Sequence, residues 1–332
     1  MPDSVLILRL SALGDVIHTL PAVAILRASF PDARIAWAVE RPYRELVAAV
    51  APVDEVIPLA TKAWRRAPLR GETRAGLRRL RRDLRAAAAG GVAVDFQGLM
   101  KSAILGWIAR ASVRYGFTRD AIREPGALLF LNRTVSPPPG IHVVEMNQVL
   151  ARAVVEQSGG TTSAAPVEPD LRAWAAAPTG KLAPLVAAPP VVLLPGAGRA
   201  GKQWNIDCFR SLASIVVETL GHPVVVAWGP GERELAAAIV EEGKGVMAPS
   251  TDLRELAFLL ARARLVIGGD TGPLHLAAAL GTRVLGLYGP TDPRRNGPWG
   301  QTGSVVESFT GGKTMNEISV TAVAGKAEEI LA

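Results

Sequence analysis

The chain has 332 residues, of which 49% are hydrophobic and 20% charged, with a formal net charge of +7. That is enough apolar material for packed cores, too much for a disordered chain, and a length that suits two domains. No apolar run approaches the ~18 residues that cross a bilayer, no secretory leader is expected, and the one cysteine, Cys208, excludes an internal disulfide or a multi-cysteine zinc site and fits a reducing cytosol.

In chain order, residues 5–10 (VLILRL) form an apolar run of the kind that makes a buried parallel strand. Residues 11–15 break it, and 16–30 read as a helix kinked at Pro21. Further strands are predicted at 34–39, 55–59 and 92–96, with helices at 41–50 and 71–88. Strands alternating with helices predict parallel βαβ units and a doubly wound sheet. From 158 to 190 Pro, Ala, Thr and Gly dominate, and the domain linker is expected here, with one short helix near 171–176. The rhythm restarts with strands at 191–194, 223–228, 265–268 and 284–288 and helices at 206–220, 232–242, 253–263 and 273–280. The expected organisation is an N-terminal α/β domain over 1–160, a linker over 161–190 and a C-terminal α/β domain over 191–332. Ligands in such folds bind beyond the carboxyl ends of strands, so those loops carry the candidate chemistry.

Charge is concentrated. Between Lys62 and Arg85 stand ten basic and two acidic residues, a local excess larger than the net charge of the whole chain. Such a segment predicts an anionic partner: nucleic acid, an acidic membrane surface or an anionic substrate. Trp64 is its only aromatic residue, too few for the interleaved stacking of a single-strand binder.

Three turns stand out. Ser11-Ala12-Leu13-Gly14-Asp15 follows the first strand. Gly14 permits a tight turn, and Asp15 is either a dipole-favoured acid at the helix start or a functional carboxylate at the strand edge. No GxGxxG is present there, which argues against a dinucleotide. Gly196, Gly201 and Lys202 match a phosphate-binding loop until Gln203, where the magnesium-holding Ser or Thr is missing. The loop suits a diphosphate held without metal; the plainer alternative is a solvated lysine on a flexible loop. In Gly268-Gly269-Asp270-Thr271-Gly272-Pro273-Leu274-His275 a strand gives way to a helix start. Thr271 and Gly272 would point N–H groups at an anion there, with Thr271 also suited to N-cap the helix, and Asp270 suits sugar hydroxyls. Glu232 could hold ribose hydroxyls or serve as a first-turn acid, and His275 on an apolar face is ordinarily a packing histidine. The four histidines show no metal-ligand spacing, and no metal or cofactor is expected.

Jointly these segments resemble the ADP-heptose:lipopolysaccharide heptosyltransferases, inverting glycosyltransferases of glycosyltransferase family 9. The resemblance covers most of the chain. It rests on Arg9 to Ile17 with Leu20-Pro21, on Asp95-Phe96-Gln97-Gly98-Leu99-Met100-Lys101-Ser102, on Pro195-Gly196-Ala197 with Lys202 and Trp204, on Gly269 to His275, and on Tyr288-Gly289-Pro290-Thr291-Asp292-Pro293. It implies a GT-B fold, two Rossmann-like doubly wound domains facing each other across a cleft. It implies Asp15 as general base and Lys202 as the cation neutralising the leaving diphosphate. Gly198, Arg199, Lys202, Glu232, Asp270, Thr271, Gly272 and His275 would bind the donor, Glu232 through the ribose and Asp270 through the heptose. Lys62, Arg65 and Arg66 would form a loop for a phosphorylated, Kdo-bearing acceptor. Ala197 and Gly198 stand where some members carry hydroxyl residues, so those contacts fall to backbone N–H groups or Arg199.

The implied reaction moves heptose from ADP-L-glycero-D-manno-heptose to Kdo of the lipopolysaccharide inner core, on Kdo-lipid A. The implied setting is the cytoplasmic face of the inner membrane, with the basic patch touching the bilayer and no nucleic acid as partner. The competing readings are a family member acting on another core acceptor or using another donor and, more distantly, a nucleic-acid-binding protein.

Overall fold

The computed structural model describes residues 1–161, 169–176, 180–242, 244–301, 303–308 and 314–332. It divides into two units, Met1–Asp170 and Leu171–Ala332. The first holds strands β1 (Ser4–Leu8), β2 (Arg34–Glu40), β3 (Glu55–Leu59), β4 (Val92–Asp95), β5 (Val113–Phe117) and β6 (Arg133–Val135). They form one parallel sheet in the order β3-β2-β1-β4-β5-β6. The second unit holds β7 (Val191–Leu194), β8 (Val224–Val226), β9 (Val246–Met247), β10 (Leu265–Gly269), β11 (Val284–Tyr288) and β12 (Val305–Glu307). These pair in parallel in the order β12-β11-β10-β7-β8-β9.

The central strands explain the apolar runs in the sequence. Val5, Leu6 and Ile7 of β1 and Val191, Val192 and Leu193 of β7 are fully buried, because a doubly wound sheet covers both faces of its middle strands. In each sheet the strand order reverses once, between β1 and β4 and between β7 and β10. Such a reversal opens a crevice at the carboxyl ends of the two strands, which is where these folds bind ligands.

Several predicted elements change. The helix expected over 16–30 is two helices, Leu13–Ile17 and Leu20–Ser29. Pro21 lies in the first turn of the second, where a missing N–H breaks no helical bond, so it starts a helix instead of kinking one. Residues Lys62, Arg65 and Arg66 lie on a short helix, Thr61–Arg66, and not on a loop. Its first residue is fastened by the Glu40 carboxylate, which accepts from the Thr61 N–H at 3.2 Å and from the Thr61 hydroxyl. Strands β5, β6, β9 and β12 and the helices Met100–Ile108 and Val143–Gln157 are not announced by the sequence, and the last helix, Val320–Leu331, buries Val323, Ala327 and Leu331 in the core of the second unit. The short strands carry too few apolar residues to form a pattern alone.

The helix predicted near 171–176 is present as Leu171–Ala175. It belongs to the second unit: Arg172 donates to the Leu280 carbonyl at 2.5 Å, and Arg254 donates to the Trp174 carbonyl at 3.0 Å. Residues 162–168 and 177–179 of the predicted linker lie outside the described residues. Among the described residues no helix is long and apolar enough to cross a membrane.

Candidate active site

At the crevice of the first sheet, β1 and β4 leave side by side. Gln97 ties them together, its Oε1 accepting the Leu10 N–H at 2.6 Å. Asp95, buried at the end of β4, accepts from the N–H groups of Gln97 and Gly98 and from the Ser102 hydroxyl, at 2.9, 3.0 and 3.0 Å. Burial pushes its carboxyl up to about 6 despite those bonds. Gly98 turns with φ +66°, a conformation that favours glycine. The segment 95–102 therefore braces the crevice, a role that its sequence did not announce.

Asp15 sits in the first turn of Leu13–Ile17, so the dipole reading and the strand-edge reading both describe it. Its carboxylate receives a forked pair of bonds from Arg123, in the loop after β5, at 2.9 and 3.1 Å. The Arg9 guanidinium lies 3.8 Å from the same carboxylate. Arg9 is buried, donating to the Thr19 hydroxyl at 3.0 Å and to Asn147 Oδ1 at 3.3 Å. Burial by itself would raise the Asp15 carboxyl, but Arg9 and Arg123 more than offset it and hold it below the ordinary carboxylate range. Asp15 is thus ionised at neutral pH, fit to accept a proton and unfit to donate one.

Lys62, Arg65 and Arg66 are exposed on the helix that follows β3. In a parallel sheet this puts them on the same carboxyl edge as Asp15, with β2 between β3 and β1. Trp64 does not join them as a ligand-facing ring. It packs on the helix Gly71–Ala88, where a Cβ at Gly76 would come within 3.0 Å of its Nε1.

At the crevice of the second sheet, Lys202 follows β7 and Asp270 follows β10. Lys202 Nζ donates to Asp270 Oδ2 at 2.7 Å, and His275 Nε2 lies 3.0 Å from Oδ1. Burial raises the Asp270 carboxyl, but the bonds from His275 and Lys202 win and pull it down to about 2. His275 is thus buried, as a packing histidine would be, yet joined to the polar cluster. It lies on the helix Gly272–Ala279, which has Pro273 in its first turn. Thr271 occupies the N-cap position, but its hydroxyl makes no cap bond. That hydroxyl is buried without a partner among the described residues. A helix start whose threonine hydroxyl is buried and leaves the first-turn N–H groups uncapped suits an anionic ligand.

The phosphate-loop reading of 196–203 does not hold as geometry. Lys202 closes a 3-10 turn, Ala200–Lys202, bonded back to the Arg199 carbonyl at 3.0 Å, and the next α-helix begins only at Ile206. A phosphate loop runs directly into its helix; here Asn205 caps a separate start. Gly198 and Arg199 are exposed on this turn. Glu232, after β8, accepts from the Gly229 N–H at 2.8 Å. Its carboxylate lies over Gly196, where a methyl group would overlap it. Gly196 therefore lets the loops after β7 and β8 meet. Trp204 is core: buried, bonded to the Ile318 carbonyl at 2.9 Å and stacked edge-on against Phe209.

The sequence assigns no role to Arg123 or Asn147, and it marks Arg9 only as the head of the segment 9–17. Arg9 left one signal, a cation inside the run VLILRL; the others left none.

Comparison with known proteins agrees with this fold. The family description "Glycosyltransferase family 9 (heptosyltransferase)" matches residues 77–322. The chain is 33% identical to lipopolysaccharide heptosyltransferase 1 of Salmonella typhimurium over 303 residues, 90% of this chain and 92% of that protein. Its fold matches E. coli heptosyltransferase WaaC with ADP at a TM-score of 0.81 and 29% identity, over 98% of this chain and 99% of that one. The match to WaaC with ADP-2-deoxy-2-fluoro heptose has a TM-score of 0.80, 30% identity and the same coverage. Two doubly wound parallel sheets give the chain the GT-B fold of these heptosyltransferases, and the family match makes it a glycosyltransferase. The chain belongs to glycosyltransferase family 9, the heptosyltransferases.

Proposed function

We propose that this protein transfers L-glycero-D-manno-heptose from its ADP donor to a Kdo sugar of the lipid A inner core, with inversion at the anomeric carbon. The observation that carries the reading is the Lys202–Asp270–His275 cluster beside the Thr271–Gly272 helix start. A cation, a carboxylate and helix N–H groups at one strand reversal suit a sugar diphosphate. The family and the likeness to lipopolysaccharide heptosyltransferase 1 support the choice of heptose.

In this reading Asp15 takes the proton from the acceptor hydroxyl as its oxygen bonds to the anomeric carbon. The bond from that carbon to the diphosphate oxygen breaks, and the electron pair leaves on ADP. Lys202 and the N–H groups of Thr271 and Gly272 receive the growing negative charge. Gly198 and Arg199 line the diphosphate, Glu232 accepts from ribose hydroxyls, and His275 holds Asp270 while Asp270 accepts from the heptose. Lys62, Arg65 and Arg66 bind acceptor phosphates and carboxylates, for which arginine forks are well shaped. The acceptor's lipid keeps the enzyme at the cytoplasmic face of the inner membrane.

The test is incubation with ADP-heptose and defined Kdo-lipid A acceptors. Mass spectrometry should show one added heptose, and NMR of the product an inverted anomeric centre, with or without EDTA. Product formed only on an acceptor that already carries heptose would move the reaction to another core position. Release of ADP without a glycosylated product would overturn the proposal.

A further inference from the structure

The acceptor reading uses three cations, yet most of the arginine excess lies farther along, on the helix Gly71–Ala88. Thr73, Leu80, Leu84, Ala87 and Ala88 bury one side of that helix. Arg74, Arg78, Arg81 and Arg85 recur at helical spacing along one flank, about 100° round the helix from the buried side, a row about 17 Å long at 1.5 Å per residue. Among the described residues Arg74, Arg78 and Arg81 have no acidic partner, and all three are exposed.

The row ends against the helix Met100–Ile108, where Arg85 donates to the Ile108 carbonyl at 3.3 Å. Arg81 and Arg110 both repel Arg85, so cations are crowded at this corner. The residue before Ile108 is Trp107, 58% exposed. Its ring meets Phe130 edge-on, with centroids 6.2 Å apart. Phe130 ends the 3-10 helix Pro125–Phe130, and its neighbour Leu129 is 83% exposed. A cationic row thus runs into an apolar prominence built on two adjoining elements.

We propose that the row Arg74, Arg78, Arg81 and Arg85, together with Trp107 and Leu129, forms one docking face for an anionic bilayer. The arginines would meet headgroup phosphates, and Trp107 and Leu129 would enter the headgroup level. The charge selects a polyanion, and the exposed leucine next to the indole selects one with an aliphatic layer beneath its charge, where single-stranded nucleic acid would offer base faces to the indole alone. The proposal deepens the transferase reading and rests on it for its purpose, since a lipid-anchored acceptor must be met at a surface.

The experiment is co-sedimentation of the full chain with vesicles of phosphatidylcholine alone or mixed with phosphatidylglycerol. Binding is expected to the mixed vesicles, stronger at low salt, and not to the neutral ones. At about fivefold per arginine, Arg74→Gln/Arg78→Gln/Arg81→Gln should weaken it about a hundredfold. Trp107→Ala/Leu129→Ser should weaken it severalfold at every salt concentration. Circular dichroism checks that both variants fold. Each should turn over a deacylated, water-soluble acceptor at the wild-type rate. If the wild type makes no product in that assay, the transfer reading fails while the vesicle result still stands. Equal binding to neutral and anionic vesicles, or wild-type binding by both variants, overturns the docking face. So does single-stranded RNA held more tightly than vesicles and indifferent to Trp107→Ala/Leu129→Ser.

Discussion

Asp15 is flanked by Arg9 and Arg123, and this environment sets the pH range in which it can act as a base. Its carboxyl lies below the ordinary range, so the acid limb of the turnover profile should lie there too. Arg123→Gln removes one cation and a forked pair of bonds, so the carboxyl rises and the acid limb moves to higher pH. Asp15→Asn should cost about 10²–10⁴-fold in turnover with little change in donor affinity. An Asn variant that keeps a third of wild-type turnover would leave Asp15 a first-turn acid and no more.

Asp270 gives a second residue-scale prediction, this time of stability. Its folded carboxyl is depressed to about 2, so its contribution is present above the unfolded value near 3.8 and lost as pH falls toward 2. A tenfold change in proton affinity is worth about 1.4 kcal/mol, so the contribution at neutral pH is about 2 kcal/mol. The difference in urea midpoint between wild type and Asp270→Asn should hold constant from pH 7 to about 5 and narrow below pH 4. A difference unchanged at pH 3 would mean that the Lys202 and His275 bonds do not stabilise the charged form.

Among elements, the informative contact is between the loops after β7 and β8. Gly196 is needed because the Glu232 carboxylate occupies the space a Cβ would take. Gly196→Ala should displace Glu232 and raise the donor KM about as much as Glu232→Ala does, leaving the acceptor KM alone. Two variants with unlike donor KM values would separate Glu232 from Gly196. The helix Thr61–Arg66 gives the converse case. Lys62→Ala/Arg65→Ala/Arg66→Ala should raise the acceptor KM and spare the donor KM, and the effect should shrink with salt, since exposed charges are screened over about 8 Å at physiological ionic strength. Measured with a deacylated acceptor, an unchanged acceptor KM would reduce these residues to a solvated cationic face.

At the scale of the whole molecule, each unit closes its own core. The cluster around Val191, Phe209, Ile267 and Leu285 lies wholly in the second unit, and that around Leu6, Ala36, Leu84 and Ala93 wholly in the first. A ligand held by one unit should therefore stabilise that unit. ADP at a hundred times its Kd adds about 2.7 kcal/mol to the state that binds it. For a unit of this size that is a rise in Tm of roughly 5 to 10 °C. Calorimetry should show this shift in the transition of the Leu171–Ala332 unit, and Lys202→Ala should abolish most of it. A shift confined to the other transition would move the donor site to the first unit.

What the sequence determined by itself was whatever is local or patterned. The apolar runs at 5–10 and 191–194 announced central strands, because a strand covered on both faces must be apolar throughout. Glycine-bearing turns after those two strands and after the strand at 265–268 marked Asp15, Lys202 and Asp270, and their order along the chain carried the family resemblance. Only the tertiary structure decided how these groups are paired. Arg123, after β5, reaches Asp15, after β1, across 108 positions and past the end of β4, which lies between those strands, while Lys202 reaches Asp270 across 68, from β7 and β10, which are neighbours because the sheet order reverses between them. No local pattern encodes such a pairing, since it depends on which strands lie side by side. For the same reason Trp64 and Trp204, prominent within their motifs, proved to be packing residues, while the plain sequence around Arg123 supplied the strongest contact that Asp15 makes.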